Sequence, residues 1–171
     1  NIWAKGRHNA LFGPTSFEVE AGEVIIIQAD SQLERTALSL TLTGRMKPSG
    51  GSISRAEGKH SVRKEIRRKQ LRKRSELIDS PDVNEPENFM RVHDYVSEML
   101  SYQLSAFSRP RSKQWLEENG LKELDNLWIE QVSGEQNIRL MSALARSYDK
   151  ADLLVFDTPS RHLNHTYMWL P

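Results

Sequence analysis

Residues 24–38 read VIIIQADSQLERTAL, and the change of pattern inside them decides the fold. Val24, Ile25, Ile26 and Ile27 form a short β-branched run, the pattern of a strand covered on both faces. Beyond the polar turn at residues 28–31 the spacing changes. Leu38, Leu42 and Met46 fall at i, i+4 and i+8, which predicts a helix over residues 35–46 with one apolar face.

Upstream, residues 16–19 alternate polar and apolar side chains and Ala21, Gly22 and Glu23 supply a turn, predicting an antiparallel hairpin. Downstream, Pro48, Ser49, Gly50 and Gly51 end the helix and lead into a short strand near residues 52–54. Residues 59–74 then hold nine Lys or Arg and one Glu, and the composition shifts again at Asp79, Ser80, Pro81 and Asp82. Residues 90–124 carry helical spacing in Val92, Tyr95, Val96, Met99 and Leu100, then in Trp115, Leu116, Leu121 and Leu124. A further helix is predicted over residues 133–146, with Ser133 placed as its N-cap. Leu153–Phe156 is a second buried-type strand, and it ends in Asp157. The order describes an α/β sheet domain with a leading antiparallel part and a helical insertion, divided as residues 1–79 and 147–171 for the sheet core and 80–146 for the insertion.

The 171 residues suffice for one domain with a real core. They include no Cys and five His, with none in HExxH spacing, so disulfides and thiolate metal sites are excluded and no His-based zinc site can be assembled. No apolar run reaches the roughly 20 residues of a membrane span. The first residues lack the charged and apolar regions of a signal peptide, so a cytosolic protein is expected. The net charge of +1 hides the local imbalance at 59–74. That run reads as a solvated helix face or a disordered loop, as a surface for anionic lipid headgroups, or as a nucleic-acid contact.

Three stretches, in this order, resemble the ATP-binding cassette (ABC) nucleotide-binding domain. Residues 24–38 stand where the family has a strand, a G-x-x-x-x-G-K-[ST] phosphate loop and a helix. Ala29 and Glu34 take the places of the two glycines, Arg35 that of the Lys, and only Thr36 is the expected residue; taken alone, the stretch reads better as a plain strand–turn–helix. Val132, Ser133, Gly134, Glu135 and Gln136 resemble the L-S-G-G-Q signature, beside the simpler reading of an N-cap. Residues 153–164, LLVFDTPSRHLN, resemble the strand ending in a Mg²⁺-binding Asp, with Thr158 in place of the general-base Glu and Asn164 in place of a loop Asp.

The resemblance implies a P-loop NTPase-type core, with residues 24–27 and Leu153–Phe156 parallel and central in one sheet. It implies ATP and Mg²⁺ as ligands. Ala29, Asp30, Ser31, Gln32, Leu33, Glu34, Arg35, Thr36 and Ala37 would form the phosphate loop, and Thr36 and Asp157 would hold the metal. Asp157 and Thr158 take the catalytic positions, Trp3 is placed to stack on adenine, and Ser133, Gly134 and Gln136 would contact the nucleotide of a second subunit. The implied partners are a transmembrane permease subunit and a second nucleotide-binding domain, at the cytoplasmic face of the membrane; nucleic acid is not expected.

The departures predict impairment. Two unit charges about 4 Å apart at an effective dielectric near 20 repel by roughly 4 kcal/mol, which sets the scale for Glu34 beside a phosphate. Arg35 keeps the charge of Lys in a planar fork, and its pairing with Glu34 or Asp30 would close the loop without a ligand. Thr158 cannot take a proton from water, a role worth about 10²–10⁴ in rate. The junction near Asp79 and Ser80 lacks the family's Gln, and His162 and His165 lie too early for its later switch His. Weak ATP binding with little hydrolysis is expected, or else a non-enzymatic regulator or scaffold on the same fold.

Overall fold

The computed structural model describes residues 1–57, 62–103 and 109–161. It is a mixed α/β molecule, with its strands in three small sheets and its helices gathered mainly after residue 90. The leading part is antiparallel. Strand β1 (Ile2–Lys5) lies between β2 (Ala10–Thr15) and β3 (Gly50–Gly51). Ile2, Ala4 and Phe12 bury their side chains against Ala37 and Leu38 of helix α1 (Gln32–Leu42). The helix starts before residue 35 because Ser31 caps it, its Oγ accepting the Glu34 N–H at 3.2 Å. It stops at Leu42 because Gly44 turns to φ +66, a left-handed conformation that favours glycine after a helix.

The basic region is ordered rather than loop-like where it is described. Strand β4 (Ser54–Glu57) pairs with β5 (Val62–Glu65), and helix α2 (Arg68–Lys73) follows. Strand β6 (Ser75–Ile78) then pairs in parallel with β7 (Leu153–Phe156), in register from Ser75 opposite Leu153 to Ile78 opposite Phe156. Between these two strands lie α3 (Val92–Gln103), α4 (Ser112–Glu118) and α5 (Gly134–Arg146), which with short 3₁₀ turns enclose the largest core. Ile78 and Phe156 seat the parallel pair on Met141 and Ala145 of α5.

Three expectations need correction. Residues 24–27 belong to no strand, and Val24 and Ile26 are 70% and 63% exposed. The β-branched run was read as a central strand, but among the described residues it has no ladder neighbour. Without one, its backbone groups gain nothing from an ordered sheet position. Leu153–Phe156 is a parallel strand as expected, yet its partner is β6 and it stands at an edge. The hairpin read around Ala21, Gly22 and Glu23 keeps only its turn, closed by Glu23 N–H to the Glu20 carbonyl at 3.1 Å; its flanks form no ladder. Among the described residues no helix is long and apolar enough to cross a membrane.

Candidate functional site

Parallel strands end on one side, and the carboxyl ends of such strands are where open α/β sheets place their ligands. Strand β7 delivers Asp157 to that end and β6 delivers Asp79 and Ser80 beside it, all three buried. Helix α1 brings Thr36 to the same place from a different part of the chain.

The cluster converges on one carboxylate oxygen. Thr36 Oγ1 and Ser80 Oγ each donate to Asp157 Oδ2 at 2.7 Å. Behind Thr36, Gln32 Nε2 donates to Thr36 Oγ1 at 2.8 Å, and Arg35 Nη2 donates to Gln32 Oε1 at 3.0 Å. Thr158 has one proton for two acceptors, Gln32 Oε1 at 3.2 Å and Asp157 Oδ1 at 3.4 Å. The chain of donors therefore runs from the guanidinium through an amide and a hydroxyl to the carboxylate, each group orienting the next.

The expected phosphate loop is closed on itself. Arg35 Nη1 donates to the Ala29 carbonyl at 3.2 Å, and the Asp30 N–H faces Glu34 Oε2 at 3.4 Å. A carboxylate of the chain thus sits over a loop N–H that an anion would otherwise use. Arg35 bonds Ala29 and Gln32 rather than Glu34 or Asp30, because its fork reaches back along the helix to the loop carbonyl. Its Nε is buried without a hydrogen-bond partner among the described residues. Ser31 is occupied as the N-cap, Leu33 is 62% exposed, and Ala37 belongs to the apolar core.

Beside the cluster, Asp79 adopts φ +54, unusual for a residue with a side chain. Its buried carboxylate accepts from Arg161 Nε at 3.0 Å and Nη2 at 2.7 Å, and Arg161 also pairs with Glu85. This pair joins the loop after β6 to the loop after β7, and so holds Ser80 next to Asp157.

The remaining expected residues lie apart from the cluster. Ser133 and Gln136 form a reciprocal capping box, with Gln136 N–H to Ser133 Oγ at 3.3 Å and Ser133 N–H to Gln136 Oε1 at 3.0 Å. Gly134 opens α5 at the end opposite the residues that touch β6 and β7. Trp3 is half-buried in β1, its indole against Gly50, where a Cβ would come within 2.4 Å of Nε1. That contact makes Trp3 a packing residue of the leading sheet. His162, Asn164 and His165 lie outside the described residues.

The sequence marks Ser80 only as part of the junction that lacks the family's Gln, and does not predict its bond to Asp157. The short strand before it, SELI, follows a basic run, and residues 79–82 read as a boundary rather than as a strand end. As a cation site the donor set is lean: one carboxylate and hydroxyl oxygens. Among the described residues no group of three or more His, Cys, Asp or Glu could hold a metal. Such a set fits Mg²⁺ only as a shared ligand, since that ion keeps water and phosphate oxygens around it. No protein-family model matches the chain, and no curated protein matches it.

Proposed function

We propose that the chain is a degenerate ABC-type nucleotide-binding subunit on a P-loop NTPase-type core. In this reading it serves a transmembrane permease at the cytoplasmic face and binds Mg-ATP weakly, with little hydrolysis of its own. The observation that carries the reading is the 2.7 Å hydrogen bond from Thr36 to Asp157 across 121 residues of chain. It joins the two positions that the resemblance assigns to the metal. Thr36 and Asp157 would hold Mg²⁺, which when bound supplies positive charge against the phosphates. Gln32 and Ser80 keep those two oxygens in place, and Thr158, a hydroxyl, leaves the site without a base. Pairing with a complete nucleotide-binding domain would let Ser133 and Gly134 serve the partner's site.

The closed loop favours a second reading, a regulator or scaffold that binds no nucleotide. Arg35 on the Ala29 carbonyl and Glu34 over the Asp30 N–H satisfy the loop internally. Calorimetry with Mg-ATP separates the two. The first reading expects a Kd on the order of 100 μM or weaker, lost in Asp157→Ala and tightened by Glu34→Gly with Arg35→Lys. Absence of heat from the native chain and from that double variant alike supports the scaffold. Sub-micromolar binding by the native chain would contradict the account of Glu34.

A further inference from the structure

Helix α2 carries more uncompensated charge than its place in the fold requires. Arg67, Arg68, Lys69, Arg72 and Lys73 are all exposed, and none of them has an ion pair among the described residues. The cations at the two ends of the region are spoken for, Arg63 by Glu18 and Arg74 by Asp152. The helix cannot roll to bring its four cations, with Arg67 before it, to acidic neighbours. Leu71, its one buried residue, is held against the turn at Gly44, where a Cβ would lie 2.6 Å from the Arg68 carbonyl and 3.2 Å from Leu71 Cβ. The carboxyl end of α1 lies at this contact and offers about half a unit of negative charge. One cation of the five can answer that dipole.

We propose that α2 and the residue preceding it form a docking face for an anionic lipid surface, bound by charge and without insertion. Clusters of about four to eight Lys or Arg on one face have this property, and each adds about fivefold to adsorption on an acidic leaflet. The inward position of Leu71 removes the apolar anchor that insertion needs. The same features count against nucleic acid. Residues 62–74 contain no Phe, Tyr or Trp on which a base could stack. Gln70 is their one neutral amide for reading a base edge, and a helix of six residues reaches about 9 Å along a groove.

The test is co-sedimentation of the full chain with phosphatidylcholine vesicles, with and without phosphatidylserine, in the absence of nucleotide. Failure here is thereby separate from failure of the nucleotide reading. Adsorption is expected on the acidic vesicles alone, falling with added salt. It should drop by about fivefold per residue in the variant Arg67→Gln, Lys69→Gln, Arg72→Gln, Lys73→Gln. A control variant, Lys113→Gln with Lys150→Gln, removes two exposed cations elsewhere and should bind as the native chain does; thermal melts establish that both variants are folded. Equal sedimentation with both vesicle types, no adsorption at all, or an unchanged quadruple variant overturns the proposal. A short DNA duplex that strips the chain from acidic vesicles at equal phosphate concentration overturns it in favour of nucleic acid.

Discussion

Helices α3, α4 and α5 close around Val92, Val96, Leu100, Leu116, Leu124 and Leu140, each of them 0% exposed. Residues 16–29 are just as rich in apolar side chains, yet leave Phe17, Val19, Val24 and Ile26 at 42%, 41%, 70% and 63% exposure. Both regions carry the composition of a core. The difference lies in where each finds its partners. The helical unit meets its own residues three and four positions on, and then helices joined to it within one stretch of chain. A buried strand depends on neighbours brought from far away, and residues 24–27 have none among the described residues.

Leu140→Ala should show the largest effect. It removes a fully enclosed side chain, at a cost of about 2–5 kcal/mol including the cavity left behind. Ile26→Ala should stay within about 0.5 kcal/mol, the range of exposed positions. Urea denaturation of both variants compares the two regions directly. A loss at Ile26 as large as that at Leu140 would mean that residues 24–27 are packed in solution, and would restore the strand expected there.

Ser133→Ala comes next, at about 1 kcal/mol from loss of the cap. Ser133→Asp keeps a cap of equal rank but sets a carboxylate where the resemblance places the partner's γ-phosphate. Thermal melts of the two variants should therefore differ. ATPase of a pair with a complete nucleotide-binding domain should fall in Ser133→Asp despite its retained stability. Unchanged ATPase would reduce Ser133 to its capping role.

The sequence makes α5 legible nearly to the residue, whereas residues 90–124, which read as one helical stretch, hold α3, α4 and a 3₁₀ turn. Ser133 as the cap and α5 ending at Arg146 both follow from local spacing and local hydrogen bonds. Two residues of the candidate cluster, Asp157 and Thr36, come from the resemblance, which places them at the end of the apolar strand and in the phosphate-loop motif, and the structure brings them within 2.7 Å. The role of Ser80 is not legible, because four residues are too few to announce β6 and the junction shows only the lack of the family's Gln. Closure of the loop without a ligand is legible in the charges of Arg35, Glu34 and Asp30, but its bonds are not: Arg35 holds the Ala29 carbonyl and Gln32 instead of a carboxylate, and Glu34 faces the Asp30 N–H. For residues 24–27 the pattern was strand-like, but periodicity describes a segment and cannot report whether another strand lies beside it.

Glu76 sharpens the comparison from a third place, strand β6, where a charged side chain is buried beside the helical unit. From β6 it lines a small cavity together with Tyr95 and Met99 of α3 and Met141 of α5. Burial raises its carboxyl above the ordinary range, and Arg45, with its Nη2 3.8 Å from Oε2, offsets only part of this. Burial likewise lowers the Arg45 guanidinium, so both partners register a desolvation cost larger than their attraction. The sign of the pH dependence follows from the proton count. Between the unfolded carboxyl's ordinary value, about 4.3, and the raised folded value, the native state holds the extra proton, so stability falls as pH rises through that window. Glu76→Gln is neutral at every pH and lacks this slope. It should be more stable than the native chain near pH 7, by up to about 1 kcal/mol, and the advantage should vanish below about pH 4. Urea midpoints measured at several pH values across that range read the difference. A variant less stable at neutral pH would show that the attraction between Arg45 and Glu76 outweighs their desolvation, and that charge ties the turn after α1 to β6.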